Sequence, residues 1–216
     1  MDELKKHIVK LREDFTKSAL DESDLREQPG LQFEAWLSEA VKAEVPEVQA
    51  MTLSTVSDQN KPSSRVVYLR EFENDCFWFY GNYDSRKANH LNHNPNACLN
   101  FFWPQLERQI RIEGVVSKCE EIYSDNYFNA RPTESKIGAW ASKQSATLSS
   151  RKELEAAVEQ FRLQFAGQDI KRPPYWGGWM LKANYYEFWQ GRKSRLHDRL
   201  CYTFENNQWK ISRIAP

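Results

Sequence analysis

The sequence predicts a mainly β fold with flanking helices (α+β), a closed or split antiparallel β-barrel built from one domain of 216 residues. Three observations predict it. Short runs of β-branched and aromatic residues recur between turn-rich links, and those links are short enough to favour antiparallel neighbours. Helical periodicity marks the N-terminus, a short stretch before Pro95 and a central block. No internal repeat, low-complexity tract or domain boundary interrupts the chain, so residues 1–216 read as a single domain, with 1–20 as an N-terminal segment able to move.

In order, residues 3–17 read as a helix with Leu4, Ile8 and Leu11 on one face. The polar link "DESDLREQPG" leads to a second helix over 31–43. The period then changes: "MTLSTVS" and "SRVVYLREF" flank the turn "DQNKP", and "CFWFYGN" follows as a third strand. "SRKANHLNHNP" suits a short helix closed by Pro95. "NACLNFFW" and "ERQIRIEGVVSKC" are two further strands. The helical block "EEIYSDNYFNAR", "PTESKIGAW" and "SSRKELEAAVEQFRLQF" is split at Pro132, because a residue before proline avoids the helical region. After "RPPYWGG" come "WMLKANYYEFWQG", "RLCYTFE" and "QWKISRI", the last two joined by "NN" as a hairpin turn. That gives about eight strands.

Thirty Lys+Arg balance thirty Asp+Glu, while 40% of the residues are hydrophobic and eight are tryptophan, so a real core is expected and disorder is not. Zero net charge argues against a nucleic-acid-binding barrel, which would show a basic excess or face. The amphipathic, charged N-terminus lacks the apolar centre of a signal peptide, and no apolar run approaches a membrane span. With cysteines at 76, 98, 119 and 201 in no metal-like spacing, a reduced, cytoplasmic protein is expected. His90 and His93 lack a carboxylate or cysteine partner nearby, so surface histidines, with no metal, are expected.

Against this neutral background, "FWQGRKSRLHDRL" gathers three arginines, a lysine and a histidine within residues 188–200. It is either a solvated loop or a local anion site. Two more candidate anion sites lie elsewhere. Arg65 heads one strand, and Ser85 can cap a helix whose first turn holds Arg86 and Lys87, where backbone N–H groups favour an anion. Tyr127, Arg131 and Ser135 recur every four residues across the Pro132 junction and can offer two hydroxyls and a guanidinium to one anion. The bland readings are an exposed helix start for the first set, and a core-edge tyrosine with a surface arginine for the second. Gln109 and the pair Gln144–Ser145 add amide and hydroxyl capacity suited to a heterocycle, and Trp189 offers a flat apolar face.

Together, "RVVYLR", "FYGNYDSRKA", "LERQIRIEG", "YFNARPTESKIGAWASKQS", "PPYWGG", "EFWQGRKSRLHDR" and "WKISRIAP" resemble the pyridoxine/pyridoxamine 5′-phosphate oxidase family. They run in the family's order and cover the chain from "LREDFTK" to its last residue. The resemblance implies an FMN-binding split barrel, a homodimer with FMN at the subunit interface. It also implies oxidation of pyridoxamine or pyridoxine 5′-phosphate to pyridoxal 5′-phosphate, with O2 as electron acceptor giving H2O2. By matched motif, FMN would be held by Arg65, Val66, Val67, Tyr80, Gly81, Arg86, Lys87, Gln109, Gln144, Ser145, Trp189 and Arg199. Substrate would meet Arg12, Arg70, Tyr127, Arg131 and Ser135, with Arg195 and His197 as the catalytic pair facing its ring.

The family usually has lysine where this chain has Arg70, and tyrosine where it has Phe15; the first change keeps charge but alters shape, and the second removes a hydroxyl. Strand alternation over 195–200 would put Arg195, His197 and Arg199 on one face and leave Asp198 on the other as an anchor. His197 can be read equally as a base or as a hydrogen-bonding group. The rival functions are a split-barrel flavin reductase and a pyridoxal phosphate-binding protein without oxidase activity.

Overall fold

The computed structural model describes residues 2–10 (backbone alone at 2 and 8–10) and 14–216. Among the described residues there are six α-helices: α1 Asp2–Lys10, α2 Pro29–Lys42, α3 Arg86–His93, α4 Glu121–Asn129, α5 Thr133–Ala141 and α6 Arg151–Gln164. The nine strands are β1 Ala50–Val56, β2 Pro62–Tyr68, β3 Glu71–Glu73, β4 Cys76–Asn82, β5 Asn96–Trp103, β6 Arg108–Lys118, β7 Trp176–Gln190, β8 Asp198–Glu205 and β9 Gln208–Arg213. They form one sheet in the order β2-β1-β5-β6-β7-β4-β3, with β8 added to β7 and β9 to β8. This is the expected antiparallel, split-barrel class.

The ninth strand is a correction. "SRVVYLREF" reads as one strand but is two, because the chain changes partner in its middle. The Leu69 N–H donates to Gln49 O at 2.9 Å, on the β1 side, whereas the next N–H, of Arg70, donates to Trp78 O at 2.9 Å in β4. β2 therefore pairs with β1, and β3 with β4. β2 and β3 are the two ends of the sheet path although only two residues separate them, and the barrel is split there. The expected N-terminal helix over 3–17 is also shorter, since residues 14–17 are not helical.

The chain forms two compact units, each discontinuous in sequence. The first comprises residues 1–48, 100–112 and 185–216. Pro29 at the first position starts α2, where its missing N–H costs nothing. Phe33, Trp36 and Ala40, at helical spacing, are buried, with Phe33 5.3 Å from Phe101 and Trp36 5.2 Å edge-on to Phe188. Each such large side chain contributes about 1.5–3 kcal/mol on burial. Asn206 and Asn207, both at positive φ, make the β8–β9 turn, as asparagine tolerates that region best after glycine.

The second unit comprises residues 49–99 and 113–184. It holds the β1–β2 hairpin, β3, β4 and the first half of β7, with α3 to α6. Pro132 divides α4 from α5 as expected, and Phe128, Ile137, Ala139, Ile170 and Trp176 form a core there. His90 corrects the expectation of a surface histidine: it is 6% exposed, with Nδ1 3.1 Å from Thr55 Oγ1. Among the described residues no helix is long and apolar enough to cross a membrane.

Candidate functional site: an anion pocket and a cationic loop

The two anion-binding sets predicted from different parts of the sequence share one cavity. It lies in the second unit, has a volume of about 310 Å³ and is lined by Arg65, Val66, Val67, Tyr68, Arg70, Tyr80, Gly81, Lys87, Tyr127, Arg131, Gln144 and Trp176. β2 supplies Arg65, Val66 and Val67, β4 supplies Tyr80 and Gly81, α3 supplies Lys87, and the α4–α5 junction supplies Tyr127 and Arg131. Ser135 lines an adjoining cavity of about 250 Å³ with Arg131, Gln144 and Trp176. Arg86 and Ser145 line a larger, more apolar cavity of about 700 Å³, to which Gln144 also contributes.

The lining of the first cavity contains four cationic side chains and no carboxylate. Lys87 is only 7% exposed, and its Nζ donates to Gln144 Oε1 at 2.7 Å and Ser85 Oγ at 3.0 Å, both neutral. Burial, and then the charge of Arg65, push the Lys87 ammonium down to about 8. Arg65 is pinned by bonds to Leu53 O (3.1 Å), Thr55 Oγ1 (2.8 Å) and Ser63 Oγ (2.9 Å). Burial, and then Arg86, pull its pKa down as well. Gly81 leaves room for this arrangement, since a Cβ there would stand 2.8 Å from Lys87 Nζ. Ser85 differs from expectation: it stands at the N-cap of α3, but its hydroxyl donates back to Asn82 O at 2.7 Å and makes no cap bond.

Around these charges runs an aromatic stack. Tyr80 and Tyr127 are 3.9 Å apart and 14° from parallel, and Trp176 continues the stack 6.1 Å from Tyr127. Arg70 lies 5.8 Å from the Tyr127 ring centre, and Arg131 4.6 Å from that of Trp176. Arg131 Nη1 is buried without a hydrogen-bond partner, and burial lowers that guanidinium's pKa. A buried cationic donor left unpaired costs roughly 1–3 kcal/mol or more, which an anion held there would relieve. The donor set suits phosphate: three charged forks and an ammonium line one space that contains no competing acid.

The remaining predicted residues belong to the first unit. Arg195 and His197 do not share a strand face with Arg199, because β8 begins only at Asp198. Residues Lys193–Arg195 form a 3-10 turn in which Ser194 and Arg195 have φ of 56° and 61°. Two consecutive non-glycine residues in the left-handed region carry strain, which is kept where the surroundings over-determine it. The His197 ring packs 4.6 Å from Trp189 and 5.6 Å from Phe15, which also sits edge-on to Trp189. Phe15 fits against Gly191, where a Cβ would stand 2.6 Å from its ring. Asp198 does anchor the strand, accepting bonds from Leu20 N (3.1 Å), Arg192 (3.2 Å) and Arg213 (2.9 Å).

Arg199 is already engaged. Its Nε donates to Glu187 Oε1 at 2.7 Å and its Nη1 to Ala215 O at 2.8 Å. Glu187, 2% exposed, also accepts two bonds from Arg111 (3.2 and 2.7 Å). Burial alone would raise its carboxyl, but the two guanidiniums hold it below the usual carboxylate range. Gln109 is half-buried on β6, and Arg12 lies outside the described residues. Sequence reasoning missed Glu187, Arg111, Tyr68 and Trp176. The signal for the first was a lone acid in an aromatic strand, "NYYEFW", which a buried position would oblige to find a cation.

Residues 37–165 match the family described as pyridoxamine 5′-phosphate oxidase, and residues 176–216 match the pyridoxine 5′-phosphate oxidase C-terminal dimerisation region. The pyridoxine/pyridoxamine 5′-phosphate oxidase of Burkholderia mallei is 47% identical over 212 residues, spanning 97% of this chain and 99% of that one. Its counterpart in a Cyanothece strain is 44% identical over 209 residues, spanning 97% and 98%. Among solved structures, PhzG from Burkholderia lata 383, in complex with tetrahydrophenazine-1-carboxylic acid, superposes with a TM-score of 0.86 at 29% identity, covering 92% of this chain and 98% of that one. A pyridoxamine 5′-phosphate oxidase-related, FMN-binding protein from Nostoc punctiforme shares the fold at a TM-score of 0.68 and 16% identity, covering 89% and 100%.

Proposed function

We propose, because the chain belongs to the pyridoxine/pyridoxamine 5′-phosphate oxidase family, that it oxidises pyridoxamine or pyridoxine 5′-phosphate to pyridoxal 5′-phosphate with bound FMN. Oxygen is the final acceptor. The amine consumes O2 and water and releases ammonia and H2O2; the alcohol consumes O2 and releases H2O2. The observation that carries the reading is the cavity lined by four cations and no acid, with Lys87 and Arg131 Nη1 buried in it. Both of the ligands named carry a phosphate.

In this reading Arg65 and Lys87 hold the FMN phosphate, with Gly81, Val66, Val67, Tyr80 and Arg86 around the cofactor. Gln109, Gln144, Ser145, Trp189 and Arg199 complete its contacts. Arg70, Tyr127, Arg131 and Ser135, with Arg12, hold the substrate phosphate, and Arg195 and His197 face the pyridine ring. FMN, when bound, supplies the two-electron acceptor that O2 restores. The protein's share is positioning: clamping the substrate by its phosphate fixes the reacting carbon, which is worth about 7–11 kcal/mol in favourable systems. The protein works as a cytoplasmic homodimer with FMN at the subunit interface, a reading supported by the match of residues 176–216 to a dimerisation region.

The test is the visible spectrum of the purified protein, before and after adding pyridoxamine 5′-phosphate in air. The expected result is a flavin spectrum, release of FMN on acid treatment, and equimolar pyridoxal 5′-phosphate and H2O2. A colourless protein that takes up no FMN contradicts the reading. A yellow protein that forms no aldehyde assigns the chain to the flavin reductases of this fold instead.

A further inference from the structure

The Arg192 backbone N–H donates to Nδ1 of His197 at 3.1 Å, closing the loop 192–197 on itself. A backbone N–H can only donate, so Nδ1 must be the unprotonated nitrogen. A neutral imidazole carries one proton, and it therefore sits on Nε2, which has no protein partner among the described residues. From this geometry we propose that Arg192 and Asp198 are positioning residues that fix His197 as its Nε2–H tautomer. His197 then serves substrate as a hydrogen-bond donor and is not the base that removes a proton. The proposal rests on the functional reading above for the identity of the acceptor, and on the loop alone for the tautomer.

The bond is held from several sides. Arg192 Nη1 donates to Asp198 Oδ2 at 3.2 Å, tying the first residue of the loop to the first of β8. Asp198 Oδ1 is fixed by Arg213 at 2.9 Å, and Arg213 in turn holds Glu22 at 2.8 Å. The Ser194 N–H donates to Asp14 at 3.3 Å, and Gly191 N–H to Glu107 O at 2.8 Å. Trp189 and Phe15 wall the ring.

Protonating Nδ1 would set two donors face to face and break the loop bond. The charges nearby agree in direction: burial first, then Arg195, lower the imidazole's pKa, and Asp198 only partly opposes them. To act as a base through Nε2 the ring would first have to carry its proton on Nδ1, against the Arg192 N–H, and would end doubly protonated. As a donor it has no such obstacle.

Long-range 1H–15N NMR spectra of 15N-histidine-labelled protein at pH 6–8, with His197 assigned by its loss in His197→Gln, decide the tautomer. The expected result is a pyridine-like Nδ1 and a pyrrole-like Nε2, moving toward the two-tautomer average in Asp198→Asn. Arg192→Met, which removes the same ion pair but keeps the backbone donor, should move the shifts the same way. A pyrrole-like Nδ1 in the wild type overturns the tautomer, and unchanged shifts in both variants overturn the positioning role. In FMN-loaded protein, His197→Gln, which can donate near Nε2 but cannot take a proton, should turn over pyridoxamine 5′-phosphate about tenfold faster than His197→Ala, the worth of one hydrogen bond. Equal loss in the two contradicts the donor role. Absence of turnover in the wild type would instead refute the proposed function, while the nitrogen shifts would still report the tautomer.

Discussion

The cavity of the second unit and the arginine-rich end of the first are both cationic, but their charges are arranged in opposite ways. Near the C-terminus nearly every guanidinium that is partly buried meets an acid: Arg111 and Arg199 share Glu187, Arg213 meets Asp198, Asp21 and Glu22, and Arg108 meets Glu39. In the cavity, Arg65, Lys87 and Arg131 have only neutral partners, and one nitrogen of Arg131 has none. A buried charge must be compensated. Where the protein supplies the counter-charge, the cation is compensated without a ligand; where it does not, the compensation must come from a ligand. Density of arginine in the sequence does not separate these cases. The run at 188–200 attracts the eye, yet the less conspicuous Arg65, Lys87 and Arg131 are the uncompensated ones.

The largest expected effect lies on the compensated side. Glu187→Ala leaves two guanidiniums facing each other and should cost about 3 kcal/mol, at the low end for a broken buried pair because the Arg111 and Arg199 side chains are 35% and 27% exposed. Urea unfolding of apo-protein checks it; a loss below that of a typical surface substitution would erase the contrast. Lys87→Met is the opposite case. It should raise the FMN dissociation constant roughly ten- to a hundredfold while leaving apo-protein stability unchanged or higher by up to about 1 kcal/mol. A destabilised apo-protein would mean that Lys87 is structural.

Arg131→Ala should raise the KM for pyridoxamine 5′-phosphate roughly tenfold or more with the flavin content intact, since it removes one charge-assisted donor from the substrate end. Steady-state assays of FMN-loaded protein, paired with FMN titration, separate the two ends of the cavity. Equal loss of both ligands in Lys87→Met and Arg131→Ala would reduce them to one anion site. The smallest effect is expected for Arg70→Lys, which restores the usual family residue: charge is kept, the stacking over Tyr68 and Tyr127 changes, and KM should shift less than about threefold.

Local rules carried much of the fold. Pro132 ends one helix and begins the next, and the Asn206–Asn207 pair makes its hairpin, because each effect acts within a few residues. The failures are non-local. The break at Leu69–Arg70 has no local sign, since no glycine, proline or asparagine marks it while the hydrogen-bonding partner changes. Ser194 and Arg195 adopt positive φ without glycine or asparagine to announce it, so alternation across 195–199 misleads. In the site, motif matching collected the cavity residues Arg65, Lys87, Tyr127 and Arg131, but that they line one space follows only from the sheet, and the pairing of Glu187 from its burial.

Titrating apo-protein with FMN and with riboflavin at pH 7 and pH 9 shows whether the uncompensated cations of the second-unit cavity await a phosphate. The two flavins differ only in the phosphate. At pH 7 FMN should bind at least roughly a hundredfold tighter, the worth of one or two charge-assisted hydrogen bonds. The sign with pH follows from Lys87, whose apo-protein pKa is depressed to about 8. Above that pH the ammonium loses its proton, so FMN affinity should fall between pH 7 and 9 while riboflavin affinity stays level, and Lys87→Met should flatten the difference. Equal affinities for the two flavins at pH 7 would contradict the account.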